Sequence, residues 1–210
     1  MSRQIATLAT AAELDEYIAG LPATTGDGRL IFGLDATASR QPTWDTAARI
    51  QTEMFQEAGG DLDIKLIYFR GGNECKASSW ISSPRKLGDM MRKITCLTGE
   101  TQIGRVLDHA RREKCALVFV GDAVEEEPEE LYTKARALRL PVFMFQEGDD
   151  EEAEKVFRKI AKITKGAYAK FEPGAAAKLS KLLRAVAAYA VGGMEALDAK
   201  EATLLIEWQR

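Results

Sequence analysis

Residues 30–40 read Leu-Ile-Phe-Gly-Leu-Asp-Ala-Thr-Ala-Ser-Arg, and the fold turns on how that run ends. Leu30 to Leu34 are almost continuously apolar, the pattern of a strand buried on both faces. The run stops at Asp35, although a strand that only had to be buried needs no carboxylate there. Thr37 and Ser39 follow at alternate positions. A turn that directs every second side chain inward would offer three oxygen-bearing groups from one short loop. Taken alone, Asp35 also suits a cap or turn before the next helix.

Outward from this run, strand patterns alternate with helical ones. A strand is expected over about 29–35. Trp44, Ala47, Ala48, Ile50, Met54 and Phe55 then fall at helical spacing, between Pro42 and the pair Gly59-Gly60. Residues 61–72 read as a strand, and Gly71-Gly72-Asn73 is a turn signal that makes 73–82 its hairpin return. Helices are predicted over 11–20, 83–94, 103–114, 127–138, 149–164 and 175–191. Strands are predicted over 115–122, 141–148 and 165–171. This order predicts an α/β fold: a doubly wound, mostly parallel sheet with one antiparallel edge strand and helices on both faces. The expected layout is an N-terminal helical extension over 1–28, a domain over 29–191, and a C-terminal tail over 192–210 that packs on it.

Composition narrows the function. The chain has 210 residues, 46% hydrophobic and 29% charged, which suits a globular domain with a sizeable core. A net charge of -3 argues against a nucleic-acid binder. No apolar run approaches the roughly 20 residues that span a bilayer. The N-terminal residues lack the apolar core of a signal peptide, so a cytoplasmic location is expected. Cys75, Cys96 and Cys115 form no CxxC pair, which argues for reduced thiols rather than disulfides or thiolate-bound zinc. His109, the single histidine, sits in a helical pattern and reads as a surface or satisfied helix residue.

In open α/β sheets ligands bind beyond the carboxyl ends of the strands. The groups expected there are Asp35, Thr37 and Ser39, the loop Thr98-Gly99-Glu100-Thr101, and Asp122. The set is all oxygen, two carboxylates and several hydroxyls, which suits a hard divalent cation such as Mg²⁺. So few charged ligands would leave the ion electron-poor, with a position open to an outside oxygen.

LDATAS, GETQIGRVL and LVFVGD, in this order, resemble the von Willebrand factor A (vWA) domain family over about Arg29 to Val191. The late KITKGAYAKF is similar to the family's last helix-to-strand passage. The resemblance implies a Rossmann-like vWA fold and a metal-ion-dependent adhesion site, which combines D-x-S-x-S with a distant Thr and a distant Asp. By this match Asp35, Thr37, Ser39, Thr101 and Asp122 would hold one ion, Mg²⁺ or else Mn²⁺ or Ca²⁺. Thr37 stands where the family usually has Ser, and Thr98 is the alternative to Thr101. Gly121-Asp122-Ala123 stands where the family usually has Thr-Asp-Gly. The resemblance further implies that Thr37 and Ser39 touch the metal directly, while Asp35 and Asp122 act partly through water. The function implied is a non-catalytic, metal-dependent protein-interaction module, an adaptor in an intracellular assembly. Its protein partner would supply a carboxylate that completes the metal shell.

Charge along the chain is polarised. Residues 121–154 hold twelve acids and three bases, and residues 155–192 hold nine bases and one acid. Acids at helix N-termini account for much of this through the helix dipole. An acidic rim beside the metal would also favour a partner with basic flanks. Two alternatives compete with the adhesion reading. One is a Mg²⁺-dependent phosphatase or phosphotransferase of haloacid-dehalogenase type with Asp35 as nucleophile, although the second acid of D-x-D is replaced by Thr37. The other is a vWA scaffold without metal. No GxGxxG or GxxxxGK[ST] occurs, which argues against a nucleotide site.

Overall fold

The computed structural model describes residues 28–41, 44, 62–171 and 185–192. The predicted extension over residues 1–27, most of the helix after Pro42, most of the helix over 175–191, and the tail from 193 lie outside the described residues.

Among the described residues six strands form one sheet: β1 (Arg29–Asp35), β2 (Asp63–Arg70), β3 (Glu74–Ile81), β4 (Ala116–Gly121), β5 (Val142–Glu147) and β6 (Tyr168–Phe171). Their order is β3-β2-β1-β4-β5-β6. β3 runs antiparallel to β2 at the edge, and every other pair is parallel. This is the sheet the alternating pattern predicts. The hairpin turns at Gly71, whose φ of 60° is open to glycine at little cost. The β2–β3 register slips between Lys65 and Ile67, where the Leu66 amide donates instead to the Ser78 hydroxyl at 3.0 Å.

The connecting helices are α1 (Pro84–Lys93), α2 (Ile103–Ala110), α3 (Pro128–Arg136) and α4 (Glu151–Thr164), and residues 185–192 are helical. The pattern predicted α2 as far as residue 114, but it stops at Ala110. Its buried stripe, Ile103, Val106, Leu107 and Ala110, ends there, and Arg111 to Lys114 have no apolar face to lay against the sheet.

The two-residue period of the strands divides the core between the two faces of the sheet. Leu34, Leu66, Val120 and Phe145 point to one face, covered by Trp44, by Leu87 and Met91 of α1, and by residues 185–190. Ile31, Ile67, Phe119 and Met144 point to the other, covered by α2, α3 and α4. A Cβ at Gly33 would come 2.8 Å from Val106 Cγ1, so its absence lets α2 lie close on β1. Trp44 is a packing residue: it is buried and donates its indole N–H to the Met91 carbonyl at 3.3 Å.

From β1 the chain adds β2 and β3 on one side, then crosses to add β4, β5 and β6 on the other. The order therefore reverses between β1 and β4, and in open α/β sheets ligands bind beyond the carboxyl ends of the strands at such a reversal.

Candidate functional site

β1 and β4 lie side by side with Leu34 opposite Val120, which brings Asp35 level with Gly121. A Cβ at Gly121 would lie 3.5 Å from the Asp35 Cβ and 2.8 Å from the Phe119 ring, so the strands approach closely just below Asp122.

Asp35 is fully buried. Its Oδ1 accepts the Thr37 amide at 2.8 Å, while Oδ2 is buried with no hydrogen-bond partner. Burial pushes its carboxyl up to about 6; hydrogen bonds from Thr37 pull the other way, and the Asp122 charge raises it further. Just past the end of β4, Asp122 Oδ1 is also buried without a hydrogen-bond partner.

The loop after β1 departs from simple alternation. Ala38–Arg40 is a 3-10 turn closed by the Arg40 amide on the Thr37 carbonyl at 3.1 Å. Asp35 and Thr37 are buried, but Ser39 is exposed. The turn still holds the Thr37 and Ser39 hydroxyls 3.1 Å apart. Against this loop lies the segment before Gly99. Leu97 forms a parallel bridge with Thr37 and donates its amide to the Ala36 carbonyl at 3.1 Å. Arg70 anchors the same segment through the Thr95 carbonyl at 2.9 Å and the Thr95 hydroxyl at 3.0 Å.

Thr101 is buried, whereas Thr98 is exposed. The Thr101 hydroxyl accepts the Glu125 amide at 2.9 Å, and its own amide donates to the Glu125 carboxylate at 2.7 Å. Glu126 accepts the Ile103 and Gly104 amides at 2.5 and 2.9 Å. The Thr101 loop and the loop that follows Asp122 are thus laced together. The acids of this run serve the starts of two helices, which agrees with the dipole account. Glu129 and Glu130 do occupy the first turn of α3, but Glu125 and Glu126 reach back to the free amides at the start of α2.

Two further residues meet here: Arg40 carried no role in the sequence, and Glu147 counted only among the acids of the rim. Arg40 is 1% exposed and forms an ion pair with Glu147, the last residue of β5, itself 6% exposed. Burial pulls the guanidinium's pKa below its ordinary value, and the Asp122 and Asp35 charges oppose that shift. The signal for Glu147 was an acid ending an apolar strand, the same signal that singled out Asp35. Arg40 gave no signal, because a basic residue in a turn is ordinarily solvated.

The donors fit a hard divalent ion: two buried carboxylate oxygens without partners at neighbouring strand ends, beside a pair of hydroxyls. Among the described residues no three His, Cys, Asp or Glu side chains converge, so hydroxyls and water would complete the shell. Burial disfavours the thiolate at all three cysteines: it pushes Cys96 up to about 11, Cys115 up to about 12, and Cys75 above its ordinary value.

Neither a protein-family model nor a curated protein sequence matches the chain. Solved structures do. An aerotolerance-related membrane protein from Bacteroides fragilis superposes with a TM-score of 0.60 at 15% identity, over 76% of this chain and 98% of that one. The VWA domain of SpRpn10 gives 0.54 at 11% identity, over 79% and 96%. The vWF domain of the type V pili tip protein Mfa5 from Porphyromonas gingivalis gives 0.52 at 9% identity, over 76% and 93%. The fold is therefore that of a von Willebrand factor A domain, as the three motifs implied. Among the described residues no helix is long and apolar enough to cross a membrane.

Proposed function

We propose that the chain is a protein-interaction module that holds one divalent ion, Mg²⁺ by preference, at the ends of β1 and β4 and binds a partner's carboxylate there. The observation that carries this reading is the pair of buried, unpartnered oxygens, Asp35 Oδ2 and Asp122 Oδ1, on adjacent strands. Buried polar atoms are nearly always satisfied, so two acceptor oxygens of this kind on adjacent strands suit a cation as their partner. Thr37 and Ser39 would supply neutral oxygens, and Thr101 would complete the set from the loop tied to Glu125. When bound, the ion supplies a Lewis-acidic position for an outside carboxylate. Asp35, buried and held by the Thr37 amide, suits an anchor better than a nucleophile. Exposed acids beyond β4 and β5, including Glu127, Glu129, Asp149 and Glu151, would favour a partner with basic flanks.

Thermal unfolding with EDTA or Mg²⁺ tests the ion. Saturation at 100 times the dissociation constant should stabilise the native chain by about 2.7 kcal/mol. Asp35→Ala and Asp122→Ala should lose that response, and an identical response in wild type and both variants would refute the site. Capture of a protein partner should fail in EDTA.

A further inference from the structure

We propose that Arg40 is a resident counter-cation of this site, holding the Asp35–Asp122 pair together when no metal is bound and weakening metal binding, with Glu147 setting how much of its charge the aspartates feel. The inference rests on the divalent-ion reading above.

Arg40 follows Ser39 directly, and an arginine at the end of a surface turn normally extends into water. Here it is among the largest fully buried side chains of the protein. Its charge is retained under all ordinary conditions, so its burial demands compensating acids. Glu147 is one, and its position is informative. Arg40 stands after β1 and Glu147 ends β5, while β4 lies between those strands. To reach Glu147 the guanidinium must pass the end of β4, where Asp122 begins. The electrostatic couplings agree, since Arg40 interacts with Asp122 and Asp35 as well.

The charges have a simple balance. Asp35, Asp122 and Glu147 against Arg40 leave two negative charges when all are ionised. One divalent ion would neutralise them. Without the ion, Arg40 offsets part of the repulsion between the aspartates. A fixed cation beside a cation site opposes the second cation, and an acid paired with that cation reduces the opposition. Removing Arg40 and removing Glu147 should therefore change metal affinity in opposite directions.

The test is calorimetric titration of the full chain with Mn²⁺ and Mg²⁺, alongside melting curves in EDTA. Arg40→Gln should tighten Mn²⁺ binding about tenfold or more, and Glu147→Gln should weaken it by a similar factor, as adjacent charges in a partly screened site require. Arg40→Lys, which keeps the charge but not the fork of donors, should stay within about threefold of wild type. In EDTA, Arg40→Gln should melt below wild type, and saturating Mn²⁺ should close most of the gap. If Arg40→Gln does not fold, the double variant R40Q/E147Q replaces it. That variant should bind near the wild-type affinity and more tightly than Glu147→Gln alone. Shifts of the same sign in both single variants, or equal affinity in all, would overturn the counter-cation role while leaving the metal site standing. Absence of binding in every variant, wild type included, would overturn the metal reading and this inference together.

Discussion

Asp35 holds a charge that its surroundings resist. The carboxyl is buried, and its pKa is raised from 3.8 to about 6. Below about pH 4 the native and unfolded chains both keep the proton. Between about pH 4 and 6 the native chain keeps a proton that the unfolded chain has released. This group therefore lowers the stability of the metal-free fold as pH rises through that window, by on the order of 2–3 kcal/mol in full above pH 6. In EDTA, Asp35→Asn should remove this pH dependence and be more stable than wild type at pH 7.5, because the amide oxygen can still accept from Thr37. Urea unfolding at pH 4.5 and 7.5 measures the effect. A buried carboxylate that destabilises the fold once ionised is the kind of perturbed group that functional sites collect. The burial of a carboxylate at Asp35 was legible in the sequence because an apolar strand and a terminal acid conflict locally. Arg40 was not visible, because its burial depends on an acid more than a hundred positions away.

At the scale of elements, the start of α2 is stabilised from outside its own sequence. Its own Ncap residue, Gln102, gives no side-chain cap, and Glu126 takes two of the free amides instead. Glu126→Ala should cost about 1–2 kcal/mol, the range for losing a helix cap. It should also loosen the link between the Thr101 loop and the loop after Asp122. Chemical denaturation gives the first effect, and amide hydrogen exchange at Ile103 and Gly104 the second. The end of α4 shows another limit of local signals. A glycine is the usual residue for the left-handed position that closes a helix, but Lys165 takes it, with φ 59°. Gly166 comes one place later because a Cβ there would lie 1.9 Å from the Val142 carbonyl oxygen. The glycine is demanded by the approach to β5, which no local pattern encodes. By contrast the β2–β3 hairpin was legible, since Gly71-Gly72-Asn73 carries its own turn chemistry.

For the whole molecule, two cores on either side of one sheet keep the strand ends rigid. Phe119 is central to one of them. Its ring lies 6.3 Å from Phe69, nearly parallel, and 5.6 Å from Phe157, edge to face. Phe119→Ala should cost about 3–5 kcal/mol. Urea unfolding would register the loss as a lower midpoint with little change in slope. Because Phe119 also closes the space below Gly121, the variant should weaken the Mg²⁺ response of the site.

The sequence by itself determined the strand and helix periods, the hairpin, the parallel sheet, and the acids and hydroxyls that end its strands. These follow from contacts within a few residues and from the simple requirement that apolar faces be buried. Only the tertiary structure decided which acids meet which bases. Glu125 and Glu126 turn back to α2, Thr101 rather than Thr98 is buried beside them, and Arg40 pairs with Glu147 two strands away. Those choices depend on the order β1-β4-β5, which sets charges far apart in the chain side by side where little water remains to screen them.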